Sequence, residues 1–164
     1  MSSDSQRFDS SKAPPPVGLY PHARQVGNLL FLSGVGPRQK DSKDIPGVTL
    51  DDALDSALDN KKQIIDYDIA SQCRSVFDNV RWILEEAGSS WEQLVDVTVF
   101  LTNMQDDFAI YNQIYAEYFA DNQPCRTTVE VNCLPTPIAI ELKCIATIDS
   151  NTDSNTDINT DKNE

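Results

Sequence analysis

The chain has 164 residues, 40% of them hydrophobic, enough for one domain with a sizeable core. Its formal charge of -13 and pI near 4.3 exclude a surface built for nucleic acid or anionic lipid, both of which need clustered Lys and Arg. Four scattered cysteines with no Cys-x-x-Cys pair, and a single histidine, His22, argue against a zinc site and fit reduced thiols in a cytoplasmic protein.

The opening MSSDSQRFDSSK is polar and Ser-rich without an apolar h-region, so residues 1–13 read as an unstructured tail, neither signal nor anchor. VGNLLFLSGVG, residues 26–36, predicts a compact apolar strand closed by Ser33-Gly34 and Gly36, with a turn at Gly27-Asn28 before it. Residues 37–67, charged and interrupted by Pro46-Gly47, predict a long surface loop. From Ile69 the period becomes helical: Cys73, Val76, Phe77, Val80, Ile83, Leu84 and Ala87 share its face. Asp68 is the N-cap of that helix and Gly88 its left-handed stop.

SSWEQL carries a capping-box pattern from Ser90 to Gln93, and VDVTVFL, 95–101, predicts a strand with apolar odd positions. A second helix follows Asp106-Asp107, with Phe108, Tyr111, Tyr115, Tyr118 and Phe119 on one stripe, a pattern of packing more than of cofactor binding. Strands at 125–134 and 138–148, joined by LPTP, close a domain spanning 14–148. Residues 149–164, a near-repeat of Asn-Thr-Asp, read as an acidic disordered tail, and no run is apolar enough to span a bilayer. Two helices cover only one face of such a sheet. The other face, still rich in Val, Thr and Phe100, calls for packing against further copies of the chain.

Charges inside the last two strands demand a reason. Alternation groups Arg126, Thr128, Glu130 and Asn132 on one side of their strand, and sets Glu141 and Lys143 opposite the apolar Ile140, Leu142 and Cys144. Arg126 and Glu141 are thereby expected on the sheet face away from the helices. There they form either an ion pair fixing register between subunits, or a working pair in which the Arg126 fork binds a carboxylate and Glu141 handles a proton. A tight LPTP hairpin would hold the two several positions apart, so contact between them requires non-adjacent strands or different subunits.

The blocks VGNLLFLSG, QCRSVFDNVRWILEEAG, LVDVTVFLTNM, DFAIYNQIYAEYF, CRTTVEV and LPTPIAIELKCIA, in this order, resemble the YjgF family of reactive intermediate deaminases, the Rid family. The resemblance implies a chorismate-mutase-like α+β subunit, with a mixed β-sheet carrying two helices on one face. It further implies a barrel-forming homotrimer with sites between subunits. The implied activity is hydrolysis of small enamine or imine carboxylates to a carbonyl compound and ammonia, with no cofactor and no metal. It makes Arg126 the carboxylate-binding arginine and Glu141 the residue that positions water. Tyr20, Ser33, Gly34 and Asn112 become cleft residues.

Two departures bear on substrate: Thr128 replaces a cysteine of the best-known subgroup, and the 37–67 loop is longer than usual. YPHARQVGNLLFLSG and CRTTVEVNCLPTPIAIELK look closer to members named 2-aminomuconate deaminases, whose substrate has two carboxylates. Arg24, Arg38 and His22 are then candidates for holding the second, with a turn histidine bonded locally as the plainer reading of His22. The rival function is a non-catalytic trimeric protein that binds a small carboxylate as a regulatory signal. RNA cleavage, attributed to some relatives, is opposed by the acidic surface.

Overall fold

The computed structural model describes residues 5–42, 44–50 and 64–149. The tail from residue 150 and the middle of the expected loop, 51–63, lie outside the described residues. Strands β1 (Ser5–Phe8), β2 (Ala23–Val26) and β3 (Leu29–Leu32) come first, followed by β4 (Val48–Leu50) and β5 (Ile64–Tyr67). Helix α1 (Ile69–Glu86), a 3-10 turn at Trp91–Gln93, β6 (Leu94–Leu101), α2 (Met104–Tyr118), β7 (Cys125–Glu130) and β8 (Ile140–Thr147) complete the domain. Six strands form one sheet in the order β1-β2-β3-β8-β6-β7, and β4 pairs separately with β5. β7 runs parallel to β6 while the other pairs are antiparallel, so the sheet is mixed.

Helix α1 follows its sequence signals closely. The Asp68 side chain accepts from the Ala70 N–H, and Gly88 adopts φ +84° just past the end, a region that favours a residue without Cβ. Its apolar stripe is buried from Ile69 to Leu84 in the core, against β8 and α2. Phe77 is the hub, with ring centroids 4.8 Å from Tyr118, 5.7 Å from Phe119 and 5.8 Å from Trp91. Two buried polar residues on the same helix tie down chain outside it. Gln72 Oε1 accepts the Ala139 N–H at 2.8 Å, and Asn79 Nδ2 donates to the Gly36 and Arg38 carbonyls.

The turn expected at Gly27-Asn28 is present, with Gly27 at φ +60° between β2 and β3. Two expectations are corrected. The N-terminal segment is not structureless over its described part, because Ser5–Phe8 pairs antiparallel with β2 and Phe8 packs against the core. The charged loop carries the β4–β5 pair, anchored where the Tyr67 hydroxyl donates to Asp107 Oδ2 at 2.7 Å. Burial is the main reason the Tyr67 hydroxyl is pushed up to about 12 and the Asp107 carboxyl above its ordinary value.

The most consequential correction concerns Arg126. The parallel register sets Arg126 beside Val97, Thr128 beside Val99 and Glu130 beside Leu101, and those three β6 residues are buried under the helices. Arg126 therefore lies on the helix side of the sheet. Glu141 pairs with Phe100 and lies on the open side. LPTP does not close a hairpin either, since β6 separates β7 from β8. Alternation within β7 could not have revealed its orientation, because neither of its sides is uniformly apolar.

Candidate active site

The open face of β2, β3 and β8, with the chain before β2 and the loop before β8, encloses a cleft of about 520 Å³. That volume suits a small metabolite. Six predicted residues meet there: Tyr20, Arg24, Ser33, Gly34, Arg38 and Glu141. Each is placed by a backbone device. Ser33 directly follows β3, its N–H bonded to the His22 carbonyl at 2.9 Å and its Oγ donating to the Pro21 carbonyl at 2.6 Å. Beyond it, Val35 exchanges backbone bonds with Leu142 at 2.8 and 2.9 Å, which brings Gly34 over Glu141. A Cβ on Gly34 would lie 2.8 Å from Glu141 Cδ, so a side chain at this position would push the carboxylate from where it sits.

Glu141 is half-buried and makes no hydrogen bond or ion pair among the described residues. Desolvation raises its pKa above the ordinary glutamate value. A carboxylate held this way is a stronger base than one on the surface and is not already bonded to a neighbour. Lys143, two residues along β8 on the same face, also lines the cleft, and sequence reasoning did not single it out. The i+2 spacing from Glu141 was the available signal. Among the described residues Arg24 and Lys143 have no ion-pair partner, while Arg38 Nη2 donates to the Pro15 carbonyl at 2.7 Å. His22 lies behind the cleft wall, its ring bonded to Ser10 and Pro14, as the local-bond reading has it.

Arg126, Asn112 and Thr128 form a second cluster on the other side of the sheet, between β7 and α2. Arg126 Nη1 donates to Asn112 Oδ1 at 2.9 Å, and its guanidinium lies 4.6 Å from the Tyr115 ring centroid and 5.7 Å from that of Tyr111. The Thr128 hydroxyl and the Tyr115 hydroxyl beside it are buried without a hydrogen-bond partner among the described residues. Glu130 accepts the Met104 N–H at 2.7 Å, at the positive end of α2. The charges of β7 thus tie an edge strand to a helix. Within this chain they do not reach the Glu141 cleft.

Among the described residues no helix is long and apolar enough to cross a membrane. Residues 10–148 match the family model described as endoribonuclease L-PSP. A RutC family protein of Pyrococcus horikoshii is 38% identical over 138 residues, covering 84% of this chain and 93% of the relative. A conserved Rid-family protein, YyfA of Yersinia pestis, superposes with TM-score 0.71 at 30% identity, covering 88% of this chain and 99% of that one. Escherichia coli TdcF, solved with bound serine, gives TM-score 0.71 at 26% identity, with the same shares covered. A match over nearly the whole described domain, in sequence and in fold, places this chain in the endoribonuclease L-PSP family, the group also known as YjgF, Rid and RutC.

Proposed function

We propose that this protein is a cofactor-independent deaminase that hydrolyses 2-imino acids, or the 2-amino-unsaturated acids that tautomerise to them, to 2-oxo acids and ammonia. The observation that carries this reading is Glu141: a desolvated carboxylate with no bonding partner among the described residues, in a cleft where Arg24 and Lys143 attract a carboxylate ligand. Water attacks the carbon of the protonated imine as Glu141 takes its proton. The carbinolamine then receives that proton on nitrogen, and its C–N bond breaks as the hydroxyl becomes a carbonyl. The hydroxyl proton passes to Glu141 and on to solvent, releasing ammonia.

Arg126 enters from a neighbouring copy in this reading. The free edge of β7 and the exposed Val26, Phe31 and Val129 on the open face favour a homo-oligomer, in this family's pattern a trimer. With Arg126 holding one carboxylate across the interface, Arg24 and Lys143 are free to hold a second, which makes 2-aminomuconate a candidate substrate. Endoribonuclease activity, the family's name notwithstanding, is disfavoured by a net charge of -13.

The test is ammonia release from 2-iminobutyrate and from 2-aminomuconate. Arg126→Ala and Glu141→Gln are expected to be inactive alone. If one copy supplies Arg126 and its neighbour Glu141, refolding the two variants together in equal amounts restores about one site in four. Absence of release by the unaltered protein, with tight binding of 2-oxobutyrate, would replace the deaminase by a regulatory binding protein. Failure of the mixture to regain activity would reject the shared site.

A further inference from the structure

The wall of the cleft that carries Val17 and Tyr20 has no regular secondary structure, since residues 9–22 run irregularly between β1 and β2. Its backbone polar groups must therefore find side-chain partners. They find them on the ring of His22, only 8% exposed. Nδ1 accepts the Ser10 N–H at 3.0 Å, and Nε2–H donates to the Pro14 carbonyl at 2.9 Å. These partners assign the tautomer with its proton on Nε2. Arg38 holds the next carbonyl, of Pro15, at 2.7 Å. At the far end, Glu86 on the last turn of α1 accepts from the Ser10 and Ser11 hydroxyls and from the Ser11 N–H.

The other side of the same corner is fixed to β3, through the Ser33 N–H on the His22 carbonyl and Ser33 Oγ on the Pro21 carbonyl. His22 is thus anchored to the sheet by its backbone and reaches back through its ring to the irregular segment. Only about 30 Å³ of free space remains between His22, Pro14, Tyr20, Gly36, Arg38 and Ile83, so the wall has little room to shift while these bonds hold.

We infer that His22 and Arg38 are positioning residues: they hold the 10–21 segment as the wall that presents Tyr20 to the ligand, and His22 does so without touching the substrate. The consequence for turnover rests on the deaminase reading above, whereas the consequence for the wall does not. Removing the ring frees two backbone groups, enough to loosen the wall by about a factor of ten. Asn can replace the Nδ1 acceptor, and Gln the Nε2 donor, but neither replaces both.

The test combines hydrogen exchange with steady-state kinetics on 2-iminobutyrate for His22→Ala, His22→Asn and His22→Gln. The expected result for the alanine variant is exchange in residues 10–21 faster by about tenfold, unchanged exchange in β6 and β8, and KM raised about tenfold with kcat within twofold. The Asn and Gln variants should fall between. Arg38→Gln leaves the buried ring in place and should move both readouts the same way by less, which keeps the test open if the alanine variant does not fold. Unchanged exchange would overturn the anchoring role. Faster exchange at unchanged KM would show that the wall does not shape the cleft, and lower kcat at unchanged KM would place His22 in the chemistry instead. If the unaltered protein hydrolyses no imine, the deaminase reading fails while the exchange result still decides what His22 holds.

Discussion

Replacing Glu141 by Gln tests the site by making the protein less active and more stable at once. The substitution keeps the shape against Gly34 and removes the charge. When ionised, the Glu141 carboxylate is half-buried with no bonding partner among the described residues, whereas in the unfolded chain it is fully solvated. Its folded pKa is raised, so the sign is fixed: the stability associated with this group is present at low pH and is lost as pH rises through the folded value. Leaving a buried charge unsatisfied costs on the order of 1–3 kcal/mol, and half-exposure brings this to about 1 kcal/mol. For a domain of this size that corresponds to roughly 2–4 °C in Tm. The expected result is a Glu141→Gln protein that melts about 2–4 °C higher at pH 7, with the difference vanishing in acid where the wild-type carboxyl is protonated. Its kcat should fall about 10²- to 10⁴-fold, as for loss of a general base, while 2-oxobutyrate affinity measured by calorimetry stays within a few-fold. A lower Tm at pH 7 would mean that Glu141 has a stabilising partner, and intact turnover would remove it from the mechanism.

Further outcomes follow from the same geometry. Arg126→Lys loses the Asn112 bond and the flat stacking on Tyr115, so turnover should drop by about 10- to 100-fold with the fold retained by circular dichroism. Gly34→Ala puts a methyl where the Glu141 carboxylate sits and displaces that side chain, so ammonia release should be lost while calorimetry shows stability changed by no more than about 1 kcal/mol. Tyr67→Phe strips Asp107 of its donor at the hairpin anchor, and urea unfolding should register a loss of about 1–2 kcal/mol that shrinks in acid, where the carboxyl takes up its own proton. The wild-type pH–rate profile should have its acid limb above the ordinary glutamate value and lose it in Glu141→Gln.

Much of the fold was readable because local signals agreed with one another. Asp68 and Gly88 bracket α1 with the 3.6-residue stripe running between them, and the structure keeps both ends. α2 begins earlier than Asp106-Asp107 suggest, because Asn103 caps it and the two acids occupy its first turn. Val95 breaks the odd-position pattern of β6, at 44% exposed, because the register shifts between Leu94 and Asp96. The cleft residues from Tyr20 to Arg38 were legible as a cluster since they are close in sequence, and Glu141 through the family blocks. The side of the sheet on which Arg126 sits was not, because it depends on β7 running parallel beside β6 rather than antiparallel beside β8, a long-range choice no local pattern encodes. β1 was hidden for a related reason: three polar residues and Phe8 become a strand only when β2 offers an edge to pair with.

The strand order has a consequence for biosynthesis. The β1–β2–β3 ribbon and the β6–β7 pair touch within the sheet only through β8, which is the last strand to leave the ribosome. Until Ile140–Thr147 arrives, the two halves of the nascent chain have no shared ladder, and the buried faces of β3 and β6 have no strand between them. Assembly must wait for chain completion and then proceed in one cooperative, high-contact-order step. Deleting Ile140–Thr147 would therefore remove the keystone of the sheet and leave two ladders with no shared strand, not a slightly smaller domain.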